Sequence, residues 1–319
     1  MIRRITFFIS LWVLVNLQSF LQASEHPGPA KKPRTDDGKG TLILDKEEAE
    51  KGYAQFKQSF ELGKVLGEGG FGRVYQLTEK KTGRELALKV IKTESLTDSE
   101  PETKILKELQ TKVLSTEEDD EFSTQGKNHI VGFVDDYKLI KKQKPLLIHE
   151  FILMERLHVD LCSFLHKHRT STHGLPLECV AAVGKQLLCA LSYLAKRGVI
   201  HCDLKPANVL MVKGSLNEDF SDIQVKISDF GLARKKSETD RYDVIQTMIY
   251  RAPERLFLLP YHEGVDIWSL GCSLCELYTG SFLIEPSRQG TESSLSEDEY
   301  HEEDQNTRLD HLREIRVVI

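Results

Sequence analysis

No cysteine precedes Cys162, and the six present (Cys162, Cys179, Cys189, Cys202, Cys272 and Cys275) all lie in the second half, mostly inside apolar runs. That distribution builds no framework of small disulfide-closed loops. Cys272 and Cys275 form a C-x-x-C, but no second pair and no histidine pair accompanies them at zinc spacing, so they read as buried thiols on one helix face. A positive balance is missing too: 43 Lys and Arg stand against 49 Asp and Glu, a formal net charge of -6. This excludes a binder whose whole surface is basic, and no direct nucleic-acid contact is expected. Internal repeats are absent. What remains is ordinary for a globular chain, with 40% hydrophobic and 29% charged residues over 319 positions, enough for one large domain or two lobes.

The two ends of the first segment carry address signals that disagree. Residues 1–24 open with Arg3 and Arg4, continue through an apolar stretch and end on Ala23 and Ser24, the layout of a secretory signal peptide. Leu21 occupies a place where a smaller residue is usual. If retained, Ile5–Leu21 is long enough for a marginal membrane anchor, which is the only membrane contact expected. Residues 25–58 are polar and rich in Pro, Gly, Lys and Asp, the composition of a flexible linker. Within them Lys31-Lys32-Pro33-Arg34 resembles a nuclear-localisation cluster, although four basic residues are commonly just solvated linker; it keeps nucleus or cytoplasm as the alternative to the secretory route.

From residue 59 the pattern becomes that of a folded domain. LGKVLGEGGFGRVYQL and RELALKVIK predict strands around a glycine turn and a charged turn. Ile105, Leu106, Leu109 and Val113 recur at helical spacing, and an acidic loop, roughly 115–127, follows. Ile130–Ile140 and Pro145–Leu157 predict further strands, and helices then dominate, most clearly over Glu178–Arg197 and Gly264–Tyr278. A second acidic, serine-rich insert spans about 287–304, where Ser294 and Ser296 each precede an acidic residue by three positions. Strands first and helices later imply an α+β chain, with a small β-rich lobe (59–157) and a larger helical lobe (158–319).

Gly67-Glu68-Gly69-Gly70-Phe71-Gly72 is a weak signal alone, but strands flank it on both sides, unlike the strand-then-helix of a dinucleotide binder. Glycines there let backbone N–H groups approach phosphate oxygens. Ala87-Leu88-Lys89 follows on a strand, from which a lysine can neutralise α- and β-phosphates. The decisive segment is His201-Cys202-Asp203-Leu204-Lys205-Pro206-Ala207-Asn208, which gathers a carboxylate, an ammonium and an amide. Asp203 can orient a hydroxyl nucleophile or accept its proton, Lys205 can steady a γ-phosphate, and Asn208 offers an oxygen to a divalent cation. Asp229-Phe230-Gly231 adds a second hard oxygen of the kind Mg²⁺ prefers. Ala252-Pro253-Glu254 and Asp266-Ile267-Trp268-Ser269 close the series.

This ordered set resembles the eukaryotic protein kinase family over about residues 60–319. The resemblance implies a two-lobed kinase fold with ATP and Mg²⁺ as cofactors and protein substrates. It implies that Leu66, Gly67, Glu68, Gly69, Gly70, Phe71, Gly72, Val74, Ala87 and Lys89 surround the nucleotide. Glu102 is the expected partner of Lys89, with Glu108 a weaker rival; Met154 is the expected gatekeeper, and Glu155 to Leu157 the adenine-binding hinge. Asp203 and Lys205 would be catalytic, Asn208 and Asp229 the metal ligands, and Leu106, Phe230 and His201 an internal stack with Asp266 at its base. Lys205-Pro206, with Thr247 ahead of Tyr250-Arg251-Ala252-Pro253-Glu254, resembles serine/threonine kinases of the CMGC group. The dual-specificity tyrosine-regulated, homeodomain-interacting and CLK branches are the most similar.

Several positions depart from that pattern. Cys202 stands where many kinases carry an arginine, Met248 replaces another, and Val244 replaces a tyrosine those branches phosphorylate on themselves. The expectation is a loop held by packing, with Tyr242 as a displaced site. Thr307–Ile319 resembles the family's G helix, so the helical lobe is expected to be shortened and Glu254 to lack its usual arginine. The two readings are therefore a serine/threonine kinase and a kinase-fold scaffold or pseudokinase that binds without efficient catalysis.

Overall fold

Leu86, Leu88 and Val90 alternate with Ala87 and Lys89 along one strand, and that period of two decides what each face of the sheet does. The computed structural model describes residues 41–42, 58–69, 72–93, 101–111, 125–141, 147–169, 173–213, 220, 222–239 and 243–284. The signal-like segment, nearly all of the 25–58 linker, Gly70, Phe71, Val113, Tyr242, the serine-rich insert and Thr307–Ile319 lie outside those residues. The chain divides into two units, Met1–Gln110 with Gly132–Arg156, and Thr111–Val131 with Leu157–Ile319.

The first unit is a six-stranded sheet in the order β1-β5-β6-β4-β3-β2. Its strands are β1 (Thr41–Leu42), β2 (Phe60–Gly69), β3 (Gly72–Glu79), β4 (Glu85–Thr93), β5 (Phe133–Lys141) and β6 (Leu147–Glu155). All pairings are antiparallel except β1 with β5, where Thr41 and Leu42 pair with Lys138 and Leu139 inside the segment expected to be linker. Phe60, Leu77, Leu86, Leu88, Val90, Phe151 and Leu153 form the apolar core on one face. Fully burying each such side chain contributes about 1.5–3 kcal/mol. The single helix described here, α1 (Pro101–Gln110), buries Ile105, Leu106 and Leu109 at helical spacing.

The second unit is mainly helical. It contains α2 (Leu161–His168), α3 (Leu177–Lys196), α4 (Pro253–Leu256) and α5 (Gly264–Thr279). Asp160 caps α2 by accepting from Ser163 N at 2.8 Å. Although α3 is long and apolar enough to cross a bilayer (mean hydropathy 1.4), its apolar side is core, with Val183, Leu187, Ala190 and Leu194 buried. Two short antiparallel pairs position the loops: β7 (Val199–Ile200) with β10 (Arg234–Lys235), and β8 (Val209–Met211) with β9 (Val225–Ile227). All six cysteines are free thiols, and burial pushes Cys179 up to about 11 and Cys272 up to about 12.

The observed architecture is α+β, with one β-sheet unit carrying one described helix and one mainly helical unit. Its division departs from a single cut near Leu157. Ile130 bridges Ile227, and Val131 N donates to Ile227 O at 2.9 Å, so both residues pair with β9 inside the helical unit.

Candidate active site

In the sheet unit, cross-strand register assembles one face. Gly67 pairs with Val74, Val74 with Lys89, Lys89 with Ile152, and Ala87 with Met154. Directly paired residues point the same way, so Val74, Ala87, Lys89 and Met154 share the face opposite the apolar core. Leu66 and Val74 are half-buried, and Ala87 and Met154 are buried. Gly67 has open space where a side chain would stand. Gly72 differs: at φ 125°, a Cβ would lie 2.2 Å from Val90 O, so this glycine is demanded by its own neighbouring strand. Exposed Glu68 pairs with Arg73 across the hairpin, and Gly69 pairs with Gly72.

Lys89 is 4% exposed and Glu102 5%. The ammonium donates to both carboxylate oxygens, at 2.9 and 2.7 Å. Glu102 is thus the partner; Glu108 lies half-buried farther along α1. The next residue, Thr103, donates its hydroxyl to Glu150 on β6, a carboxylate only 1% exposed. Consecutive residues of α1 therefore tie it to two strands. Sequence reasoning missed Glu150; a carboxylate inside LLIHEFILME was the available signal, because a buried charge needs a partner. Glu155 N donates to Gly132 O at 2.8 Å, and its carboxylate accepts from Gly132 N. Leu157 is buried and belongs to the helical unit.

In the helical unit, the loop between β7 and β8 brings its polar residues together. Asp203 Oδ1 accepts from Thr247 N (3.1 Å) and Thr247 Oγ1 (2.8 Å). Its Oδ2 accepts from Lys205 Nζ (2.9 Å) and Asn208 Nδ2 (3.0 Å). Lys205 also donates to Thr247 Oγ1 at 2.7 Å, and Asn208 Nδ2 to Asp203 O at 2.7 Å. With its amide nitrogen so committed, the Asn208 side chain keeps its oxygen as an acceptor. Ser228 N and Oγ both donate to Asn208 O, at 2.8 and 3.0 Å, which fixes the residue before Asp229 against Asn208.

Three non-glycine residues here take left-handed backbone: Cys202 (φ 65°), Asp229 (φ 60°) and Gln246 (φ 63°). Each such residue costs about 1–2 kcal/mol, so neighbouring bonds must hold them. Asp266, buried at the start of α5, accepts from His201 N (2.7 Å) and Cys202 N (2.9 Å). Burial pushes its carboxyl up, against the pull of those two amides and His201. His201 Nε2 faces Ser228 O at 3.0 Å while Nδ1 accepts from Asp203 N at 3.2 Å, a pairing that needs the Nε2–H tautomer. The His201 and Phe230 rings stand 4.9 Å apart. Leu106, the third residue of the expected stack, is fully buried within the sheet unit.

Gln246 is a further residue that sequence reasoning passed over. Its Nε2 donates to Val265 O and Ser269 Oγ, its Oε1 accepts from Ala252 N, and its backbone N–H donates to Cys202 O. Glu254, expected to lack its usual arginine, is half-buried in the first turn of α4.

Residues 60–314 match the model of the protein kinase domain. The chain belongs to that family. It is 34% identical over 218 residues to the dual specificity protein kinase YAK1 of Saccharomyces cerevisiae, covering 68% of this chain and 24% of that protein. Against homeodomain-interacting protein kinase 1 of Caenorhabditis elegans, identity is 31% over 227 residues, covering 70% and 24%. Dual specificity tyrosine-phosphorylation-regulated kinase 2 of Drosophila melanogaster is 30% identical over 225 residues, covering 69% and 27%. These similarities agree with a CMGC-like member. The chain spans only about a quarter of each of these relatives.

Proposed function

We propose that this kinase domain transfers the γ-phosphoryl group of ATP to serine or threonine hydroxyls of proteins, with Mg²⁺ as cofactor. The observation that carries the reading is the Asp203–Lys205–Asn208–Thr247 network, together with the buried Lys89–Glu102 pair. The relatives' names, serine/threonine or dual specificity kinases, support it.

In this reading Lys89, held by Glu102, receives α- and β-phosphate oxygens, and the backbone around Gly67 and Gly69 covers the phosphates. Leu66, Val74, Ala87 and Met154 provide apolar surface for the base, and the Glu155–Leu157 segment its backbone partners. Among the described residues no three His, Cys, Asp or Glu side chains form a metal cluster. The donor set nevertheless fits Mg²⁺, which binds through one or two protein oxygens plus substrate phosphates and keeps several waters. Asn208 and Asp229 would hold it, and bound there it supplies charge neutralisation at the phosphates. Asp203 orients the substrate hydroxyl, which takes the place of one of its present donors, and accepts its proton. Lys205 steadies the transferring group.

The test is Asp203→Asn. Losing a positioned general base costs about 10²–10⁴-fold in rate, while the thermal shift produced by Mg·ATP should persist. Undiminished labelling by the variant would overturn the assignment. Binding without transfer by the unsubstituted protein would favour the scaffold reading.

A further inference from the structure

Asp243 is where the loop ahead of Ala252-Pro253-Glu254 is fastened. Its Oδ2 accepts from the Tyr261 hydroxyl at 2.6 Å, and Arg234 Nε on β10 stands 3.6 Å from Oδ1. Its backbone carbonyl accepts from Arg255 Nη2 on α4 at 2.6 Å. Arg255 in turn donates to Leu259 O at 2.7 Å and lies 4.6 Å from the centroid of the Tyr261 ring. Tyr261 is buried with Cys202, Ile245 and Val265. Burial, then the bond to Asp243, pushes its phenol well above the ordinary range, so it remains a donor.

From this anchor the chain runs directly to the catalytic carboxylate. Ile245 is buried, Gln246 holds its left-handed backbone through bonds to Cys202, Ala252, Val265 and Ser269, and Thr247 then donates twice to Asp203 Oδ1. A phosphate orders such a loop by offering fixed negative charge to cationic and hydrogen-bonding partners. Here the Asp243 carboxylate already meets one hydrogen-bonding and one cationic partner, Tyr261 and Arg234. The neighbouring position is Val244, 73% exposed and without a hydroxyl, while Cys202 and Met248 bring no positive charge.

We infer that Asp243 is a built-in replacement for an ordering phosphate: a positioning residue that, through Ile245 and Gln246, keeps Thr247 on Asp203 with no modification of the loop. The ordering is electrostatic as well as apolar, which amends the expectation of packing alone. The inference rests on the kinase reading for what the ordered loop serves.

The test is amide hydrogen exchange across residues 243–251 of the full chain, before and after phosphatase treatment, with kcat and KM for ATP read in parallel. Phosphatase should leave exchange and kcat unchanged. Asp243→Asn removes a charged acceptor and should raise exchange at residues 243–247 about tenfold or more, leaving α3 unchanged. It should lower kcat with little change in KM for ATP. Asp243→Glu should recover part of both, and Tyr261→Phe, which keeps the ring, should give a smaller rise. Exchange that rises on phosphatase treatment, or an Asp243→Asn variant as protected as wild type, would overturn the inference. Exchange does not depend on turnover. An inactive wild type with a protected loop counts against the kinase reading alone, and an active one whose loop loosens without phosphate counts against Asp243 alone.

Discussion

Lys89 and Asp203 are both buried charges, but the two units hold them differently. Lys89 has its carboxylate partner on a helix that reaches it through Glu102 and is braced by Thr103 on Glu150. Asp203 takes donors on both oxygens from its own loop and from Thr247, while Asp266 pins the loop's backbone underneath. The difference teaches where each half is vulnerable. The sheet unit depends on the placement of one helix. The helical unit depends on a small over-determined loop that stores backbone strain at Cys202.

The largest expected effect comes from breaking the weaker arrangement. Glu102→Ala removes the carboxylate that accepts twice from buried Lys89, and removing one partner of a buried pair costs about 3–5 kcal/mol. The double variant Lys89→Met with Glu102→Leu should recover much of that stability, because both charges go, yet stay inactive. Thermal melts and phosphate transfer separate the two quantities. If the double variant melts as low as Glu102→Ala, the pair is not what fixes α1.

How much of this was legible in the residues follows from the same contrast. His201 to Asn208 are consecutive, so the chemistry around Asp203 could be read before any fold was known. Glu102 could be named because Glu102-x-x-Ile105-Leu106-x-x-Leu109 resembles the corresponding helix of the kinase family. Glu150 could be noticed but not partnered, since nothing local points β6 at Thr103. The Asp243–Tyr261–Arg234 clasp and the Gln246 bonds join residues from separate elements and involve ordinary side-chain types. No spacing rule marks them. Gly72 shows a subtler gap: the motif implied contact with a ligand, whereas the backbone of neighbouring β4 already requires the glycine.

An intermediate effect should come from the over-determined loop. Asp266→Asn keeps one oxygen acceptor and loses the other, so one of the His201 and Cys202 amides is left unsatisfied. That costs about 1–3 kcal/mol, read as a melting temperature lower by about 2–4 °C per kcal/mol. A variant that melts with wild type would mean the loop holds its strained residue unaided.

The smallest effect concerns pH. Burial pushes the Glu276 carboxyl up, although the Tyr250 hydroxyl donates to it at 2.6 Å and pulls the other way. A carboxyl raised on folding contributes stability that is fully present below its unfolded value of about 4.3 and is lost as pH rises through its folded value. The melting-temperature advantage of wild type over Glu276→Gln should therefore shrink as pH rises above about 4. An advantage that grows with pH would show that the fold prefers the carboxylate.

The most direct measurement is phosphate transfer itself. The full chain is incubated with labelled ATP and a basic model protein, and acid-stable phosphoserine and phosphothreonine are counted with Mg²⁺, with a chelator, and with Lys89→Met. The account predicts label that needs both the cation and Lys89. Label that survives either loss, or its absence from the complete reaction, would contradict it.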